Sequence, residues 1–203
     1  LALRMLIRDL RAGELHLLGL ALIIAVASLV SVGFLTDRVA RSLDREATQL
    51  LGGDLLLHAD KPWPDSMRAA AEAAGLSIAD TLTFSSMVSG SSGFQLVAVK
   101  AVSDAYPLRG EVRIAPARNA PEAVAKHMPA SGVIWPDERV MASLGIQVGD
   151  PVQLGNMTFR VGGVLTFESD RGVNFFSMLP RVMINTADLP ATGLIQVGSR
   201  VSY

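Results

Sequence analysis

The longest apolar run of the chain lies near its N-terminus, at residues 15–35, where the sequence reads LHLLGLALIIAVASLVSVGFL. The run contains no Asp, Glu, Lys or Arg, and its apolar residues cover every side of a helix. A helix of this length is about 32 Å long, enough to cross the hydrocarbon core of a bilayer. Because a soluble core helix is rarely apolar all round for so long, the run predicts a transmembrane helix.

A cleaved signal peptide is the alternative interpretation of this run. Ala25, Val26 and Ala27 would offer a small-residue cleavage site. The apolar region of a signal peptide usually spans about 7–15 residues, whereas this run continues well beyond Ala27. The segment before the run also carries two acids, Asp9 and Glu14. The pattern therefore favours an uncleaved membrane anchor.

Residues 1–14 have a helical period of their own, with leucines and an isoleucine on one face and Arg4, Arg8 and Arg11 on another. This pattern predicts a helix that lies in the inner membrane surface with its arginines toward lipid phosphates. A plain cytoplasmic extension of the transmembrane helix is the alternative. Because Lys and Arg near a span are preferentially retained in the cytoplasm, we expect a cytoplasmic N-terminus and an extracytoplasmic main domain.

The helical pattern continues beyond the apolar run, through residues 36–52, which we interpret as a stalk. Val39, Leu43 and Leu50 form an apolar seam at near-heptad spacing, and Gly52 is a typical helix stop. An unbroken helix from the start of the run to Leu51 would be about 55 Å long and would extend beyond the bilayer.

Small residues lie along one side of the transmembrane helix, at Ala21, Ala25 and Ser28. Such residues at this spacing allow helices to pack closely in lipid, although alanine is also ordinary filler in spans. Together with the apolar seam of the stalk, this face predicts partner helices.

The part of the chain that follows the stalk alternates between strand and helix patterns. Asp54–Ala59 is predicted as a short buried strand, and Pro64 as the start of a helix that ends before Gly75. Residues 78–88 and 94–102 are predicted as strands joined by a hairpin turn at residues 90–93. The helix is expected to bury its apolar face, made up of Met67, Ala70, Ala71 and Ala74.

A more β-rich part begins after the junction at residues 106–110. Residues 136–144 are predicted as a helix that buries Val140, Met141 and Leu144 and is capped by Gly145. The glycine pair at residues 162–163 is expected to form a bulge within one continuous strand. Short strands at such spacing predict a small barrel or folded sheet. The predicted strands cover residues 133–135, 152–154, 157–161, 164–167, 173–179 and 181–185.

Composition narrows the class of protein further. The chain has 203 residues and a net charge of −1, so nothing directs it toward nucleic acid. It contains no cysteine, which excludes disulfides, thiol catalysis and thiolate metal sites. The last residues read like the entry to another strand, and we therefore expect the chain to be a fragment of a longer protein.

The sequence predicts no catalytic, cofactor-binding or metal-binding residue. His16, His58 and His127 lie far apart, and none pairs with another at metal-ligand spacing. Neither a phosphate-binding P-loop nor a G-x-S-x-G nucleophile motif is present. Glu168 and Asp170 could contact a cation, but two acids on a predicted loop are usually solvated.

A series of short motifs resembles the FtsX/MacB/LolC–LolE group of ABC transporter permeases, and within it the YbbP-like branch. Each motif is weak alone, but their order and spacing extend over nearly the whole chain. They are LLGGDL at residues 50–55, VKAV at 99–102, YPLRG at 106–110, LGIQVGD at 144–150, FRVGGVL at 159–165, TGLI at 192–195 and GSRV at 198–201.

The resemblance implies an α+β fold in which an interfacial helix (1–14), a transmembrane helix (15–35) and a stalk helix (36–52) precede an extracytoplasmic domain. That domain would comprise a mixed α/β porter-like unit, whose first part is residues 53–107. A β-rich, sabre-like unit at residues 108–190 would interrupt it, and residues 191–203 would return to the porter-like unit.

The resemblance also implies a function at the bacterial inner membrane. ATP would bind to a separate ATPase subunit, with no cofactor in this chain, and further transmembrane helices of the same permease would pack on the first. ATP-driven motion would pass along the stalk to an outer domain that acts on hydrophobic, lipid-like or lipoprotein cargo. The alternative is a membrane-anchored module that docks or activates a periplasmic partner enzyme. A single-span sensor without transport is a third hypothesis, disfavoured because so few residues precede the span.

Two observations would separate the first two hypotheses. An apolar groove on the outer domain would favour transport of hydrophobic cargo, whereas a polar patch of the size of a protein interface would favour docking. The aromatic residues that bear on this are Phe84, Phe94, Phe175 and Phe176.

Overall fold

The computed structural model describes residues 14–171, 178–196 and 198–203, and within its first helix the side chains of residues 16–43 and 51. The predicted interfacial helix, apart from residue 14, and most of the predicted strand at 173–179 lie outside the described residues. The chain divides into two compact units, one that ends at Glu46 and one that comprises Ala47–Tyr203.

The first helix, α1 (Glu14–Leu51), is continuous over 38 residues, which confirms the prediction of a single unbroken helix. Its length is about 57 Å at the ordinary helical rise. The sequence of α1 is rich in leucine and alanine and contains no proline, so nothing in it interrupts the backbone hydrogen bonds. Beyond the apolar run, Arg41 pairs with Asp37 one turn earlier, at 2.8 Å between Nη2 and Oδ2. Gly52, with φ of +69°, ends the helix as predicted.

The segment between α1 and the first strand departs from the predictions. The predicted buried strand at Asp54–Ala59 is wrong, since its backbone is irregular and the leucines at residues 55–57 are at least half exposed. The only backbone pairing described for it joins Ala59 to Tyr203, with two hydrogen bonds of 2.9 Å. Helix α2 (Asp65–Ala73) begins after Pro64 as predicted, but it has no buried residue. The predicted burial of Met67, Ala70, Ala71 and Ala74 is therefore wrong, because no described element covers that face.

Among the described residues, the remainder of Ala47–Tyr203 is mostly β-structure with three short helical elements. Helix α3 (Glu138–Leu144) follows the fifth strand; a 3-10 turn (Thr186–Asp188) and α4 (Leu189–Thr192) follow the last. The strands within the described residues are β1 (Thr81–Gly90), β2 (Gly93–Val102), β3 (Val112–Ala115), β4 (Ala123–Val124), β5 (Val133–Pro136), β6 (Pro151–Leu154), β7 (Met157–Val161), β8 (Val164–Glu168) and β9 (Arg181–Asn185).

Six of these strands close into a barrel in the order β1-β2-β9-β5-β7-β6, and β4, β3 and β8 form a separate sheet. Strand β2 lies between β1, its antiparallel hairpin partner, and β9, which runs parallel to it. The barrel thus combines strands from both sides of residue 108, where the resemblance places a boundary between porter-like and sabre-like parts. That division remains a prediction about functional units.

The glycine pair at residues 162–163 does not form a bulge in one continuous strand, so this prediction is wrong. Strand β7 ends at Val161 in the barrel, and β8 begins at Val164 in the separate sheet, antiparallel to β3. A β-carbon at Gly162 would clash with Cγ1 of Val133, so the packing of the Val133 side chain leaves room only for glycine here. The irregularity in register lies instead in β3, between Arg113 and Ile114.

The core of the barrel is filled by apolar side chains from every strand and from α3. Val140, Met141 and Leu144 of α3 are buried, as predicted from their spacing. Asp137 caps this helix by accepting a hydrogen bond from the Val140 amide, and Gly145 ends it with φ of +62°. The largest fully buried side chains include those of Phe159, Ile134, Met141, Leu144, Leu154, Met183 and Ile184.

This core predicts a strong contrast between two phenylalanines. Phe159 is fully buried, whereas Phe94 is 74% exposed. Replacing Phe159 by alanine should lower the free energy of unfolding by about 3–5 kcal/mol, because it leaves a cavity in the barrel. Phe94→Ala should change it by less than about 0.5 kcal/mol. Urea unfolding of the detergent-solubilised chain, followed by tryptophan fluorescence, measures both. Equal midpoints for the two variants would contradict the described core.

Candidate functional site

The exposed surface of α1 is the first feature with a functional implication. The most apolar 18 residues within His16–Leu43 have a mean hydropathy of 2.6, and none of them is buried. Ala21, Ala25 and Ser28 are exposed, as are Val39 and Leu43 of the stalk seam. The side chain of Leu50 and the whole of Arg4, Arg8 and Arg11 lie outside the described residues. The roles assigned to all of these positions remain predictions.

A second feature, a buried cluster of charged side chains, is centred on Lys100. Lys100 interrupts the apolar sequence VAVKAV of β2, and every residue from Val97 to Val102 is buried. Its side chain is 6% exposed, so the ammonium group is removed from water. Such a charge is tolerated in an interior only when its donors are paired.

Two acids and a tyrosine supply those partners. The ammonium group of Lys100 donates to Glu168 Oε1, to Asp170 at 2.8 Å from Oδ1, and to the Tyr106 hydroxyl at 2.9 Å. All three of its protons can therefore be used. Glu168 is the last residue of β8, and Asp170 follows it in a loop. The expectation that these two acids are solvated is wrong, since their side chains are 1% and 13% exposed.

Tyr106 completes the cluster as both acceptor and donor. Its hydroxyl accepts from Lys100 and donates to Asp170 Oδ1, and the Lys100 nitrogen lies 4.5 Å from the centre of its ring. Burial raises the pKa of Tyr106 well above its usual value, and the negative charges of Glu168 and Asp170 raise it further. The hydroxyl therefore remains protonated and can keep its bond to Asp170 at physiological pH.

Arg181 balances the second acid of the cluster. Its Nε lies 3.6 Å from Glu168 Oε2, and both atoms are buried without a hydrogen-bond partner among the described residues. The backbone amide of Arg181 donates to Asp137, which also accepts from Arg139. Lys100 and Arg181 thus balance Glu168 and Asp170, and the four side chains are together neutral. Such a neutral network of charges is suited to holding together the strands and the loop that carry these four side chains.

Sequence reasoning missed this cluster because its members lie far apart in the chain. Lys100 and Asp170 are separated by 70 positions, and only the folded barrel brings them together. One signal of the cluster was present in the sequence, namely a lysine within an apolar strand. Such a lysine requires a buried counter-charge. The sequence does not identify which acid supplies it.

Two further surface features bear on binding. A groove of about 470 Å³ has both charged and apolar walls, formed by Asp104, Tyr106, Pro107, Gly110, Glu111, Val112, Val124, Ala125, Lys126, His127 and Met128. Separately, Met87, Phe94 and Leu96 are exposed on the β1–β2 hairpin, where Met87 faces Leu96 across the strands. Phe84 is buried in the core, and Phe175 and Phe176 lie outside the described residues.

Potential metal ligands are dispersed over the described part of the chain. Among those residues, no three His, Cys, Asp or Glu side chains are grouped closely enough to hold a metal ion. His58 is exposed and lies 3.2 Å, at Nδ1, from the Ser202 hydroxyl. His16 is on α1 and His127 on the wall of the groove.

The buried cluster predicts that losing its cation destabilises the fold. Lys100→Met removes the ammonium group that pairs with both Glu168 and Asp170, and we expect a loss of about 3–5 kcal/mol in unfolding free energy. Lys61→Met, at an exposed lysine, is the matched control and should change it by less than about 0.5 kcal/mol. The double variant Lys100→Met/Asp170→Asn should recover part of the loss, because the two groups interact directly. Strictly additive effects in urea unfolding would contradict this pairing.

Comparison with known proteins identifies the family of this chain. Residues 17–202 match the family described as the MacB-like periplasmic core domain. The chain is also 34% identical over 196 residues to a protein of Escherichia coli (strain K12) described as the uncharacterized ABC transporter permease YbbP. That match includes 97% of this chain and 23% of the relative, so the chain spans about a quarter of the relative's length. The chain, an apolar helix followed by an α+β domain, belongs to the MacB-like periplasmic core domain family of ABC transporter permeases.

Proposed function

We propose that this chain is the first transmembrane helix and the outer domain of an ABC transporter permease, and that it transmits ATP-driven motion across the bacterial inner membrane. A separate ATPase subunit binds and hydrolyses ATP, and the permease itself carries no catalytic residue. Further transmembrane helices of the same permease pack on α1, through Ala21, Ala25 and Ser28 in the bilayer and the Val39–Leu43–Leu50 seam of the stalk.

The length and continuity of α1 are the observation that carries this proposal. A bilayer core is about 30 Å thick, whereas α1 extends for about 57 Å. Its apolar run at residues 15–35 is followed by further helical residues up to Leu51 without a break. A continuous helix resists bending far more than a loop does, so displacement at one end reaches the other. Such a helix is suited to act as a mechanical lever.

Exposed apolar residues on the outer domain support a role with hydrophobic cargo. Phe94 is 74% exposed, and Met87 and Leu96 beside it are nearly half exposed. Adjacent exposed apolar side chains are typical of surfaces that contact a partner or ligand. On this proposal the hairpin formed by β1 and β2 contacts hydrophobic, lipid-like or lipoprotein cargo.

Docking of a periplasmic partner enzyme is the second candidate function, and the groove beside Tyr106 favours it. The walls of the groove include Asp104, Glu111, Lys126 and His127, which suit a polar protein segment better than a lipid chain. Serine substitutions at Phe94 and Leu96 should impair cargo handling only on the first proposal. Charge reversal at Glu111 and Lys126 should impair activity only on the second.

The transporter proposal predicts that an ATPase accompanies the permease. Full-length permease purified from its native membrane in mild detergent should retain an ATPase subunit, identified by mass spectrometry. ATP hydrolysis by that subunit should be faster with the permease than alone, because the permease stabilises its working conformation. Purification without any ATPase, under conditions that retain a control transporter, would contradict the proposal and favour the docking module.

The orientation in the membrane gives a separate prediction. Since residues 1–203 contain no cysteine, single cysteines introduced there provide unique reporters in this part of the protein. In spheroplasts a membrane-impermeant maleimide should label Ala142→Cys, on the exposed side of α3, and should label Ala2→Cys only after lysis. The reverse pattern would place the outer domain in the cytoplasm and contradict the proposed topology.

A further inference from the structure

The end of α1 lies directly against the buried cluster. Gly52 and Gly53 are buried, and a β-carbon at Gly52 would lie 2.9 Å from Asp170 Oδ2 and 3.3 Å from the β-carbon of Asp170. The carboxylate that Lys100 and Tyr106 hold is therefore in contact with the backbone at which the helix stops. Two adjacent glycines without such support would be a natural hinge.

A second set of contacts holds the same point from another loop. The amide of Arg109 donates to the Gly52 carbonyl at 3.0 Å, and its guanidinium donates two hydrogen bonds of 2.9 Å to Asp54. These bonds lower the pKa of Asp54 and raise that of Arg109. Arg109 follows Tyr106 closely in the chain, and Tyr106 is itself bonded to Asp170 and Lys100. The loop that carries Tyr106 thus also bonds to Gly52, through Arg109.

The two sets differ in their surroundings. The pair of Asp54 and Arg109 is more than half exposed, so water and salt weaken it. In the Lys100–Asp170 pair the lysine is buried and the carboxylate side chain is only 13% exposed, so loss of either partner leaves an excess charge largely shielded from water. The inner contact is therefore the less screened of the two.

Lys100 is also well placed to distribute a load. It lies in the last part of β2, opposite Thr83 of β1 and Met183 of β9. A force applied to its side chain is shared by two hydrogen-bonded ladders of the barrel. No other described strand of the barrel carries a lysine.

We propose that Asp170, held by Lys100 and Tyr106, is the positioning residue that fixes the end of α1 to the barrel. Displacement of the helix is then passed to β2 and is not absorbed by bending at Gly52–Gly53. The inference rests on the proposed function, because it assigns the transmitted motion to a defined joint.

Hydrogen exchange of the full-length permease in detergent tests the joint itself. Asp170→Asn keeps the shape of the side chain and removes its charge, and Asp60→Asn, at an exposed acid, is the matched control. Exchange in peptides that contain residues 47–55 and 105–111 should become at least about tenfold faster in Asp170→Asn only, with a clearly smaller increase in the β6–β7 peptide. Unchanged exchange at the joint, or a uniform increase across the barrel, would overturn the assignment.

Spin labels test transmission in the complex of permease and ATPase. Cysteines at Arg38 on α1 and Ala142 on α3 report their separation with and without ATP. We expect Asp170→Asn to lose at least half of the ATP-dependent change in distance while ATP hydrolysis stays within about twofold of the parent. A full change in the variant would overturn the inference. A parent without any ATP-dependent change would overturn the proposed function and transmission with it, while the exchange result still decides whether Asp170 holds the helix end.

Discussion

The buried charge of Lys100 is the constraint on which much of the outer domain depends. A buried ammonium group on a barrel strand requires acceptors at every proton, and these come from the end of β8, where Glu168 lies, and from two separate loops. The loop after β2 supplies Tyr106, and the loop after β8 supplies Asp170. Satisfying one lysine therefore fixes the paths of both loops. The same loops contact Gly52, where α1 ends.

The barrel depends on pairings between distant parts of the chain. Strand β2 lies between its hairpin partner β1 and the last strand, β9, which runs parallel to it. Arg181 at the start of β9 is thereby brought beside Glu168, the second acid of the cluster. Glu168 itself comes from the separate sheet formed by β3, β4 and β8, at the end of β8. The strand order of the barrel is thus what brings the opposite charges of the cluster together.

Local pattern was sufficient to predict α1, the β1–β2 hairpin and α3, since each is specified by residues close together in sequence. The hairpin has two glycines at its turn, and α3 has apolar residues at helical spacing followed by Gly145. Burial was harder to predict, because it depends on what covers a face. Residues 55–57 and the face of α2 have an apolar pattern but no described neighbour over them. The cluster could not be predicted either, as no local signal connects Lys100 with Asp170.

The pairing of Lys100 with its acids also limits how the sequence can change over time. A single substitution at either position leaves an excess charge in the cluster, whereas a joint replacement by neutral residues of similar size leaves Glu168 balanced by Arg181. The effects of mutations at these positions are therefore strongly epistatic. A variant with only one of the two substitutions is less stable than either the parent or the double variant. Genetic drift therefore rarely replaces both residues one after the other. Positions 100 and 170 are consequently expected to be kept, or exchanged, together.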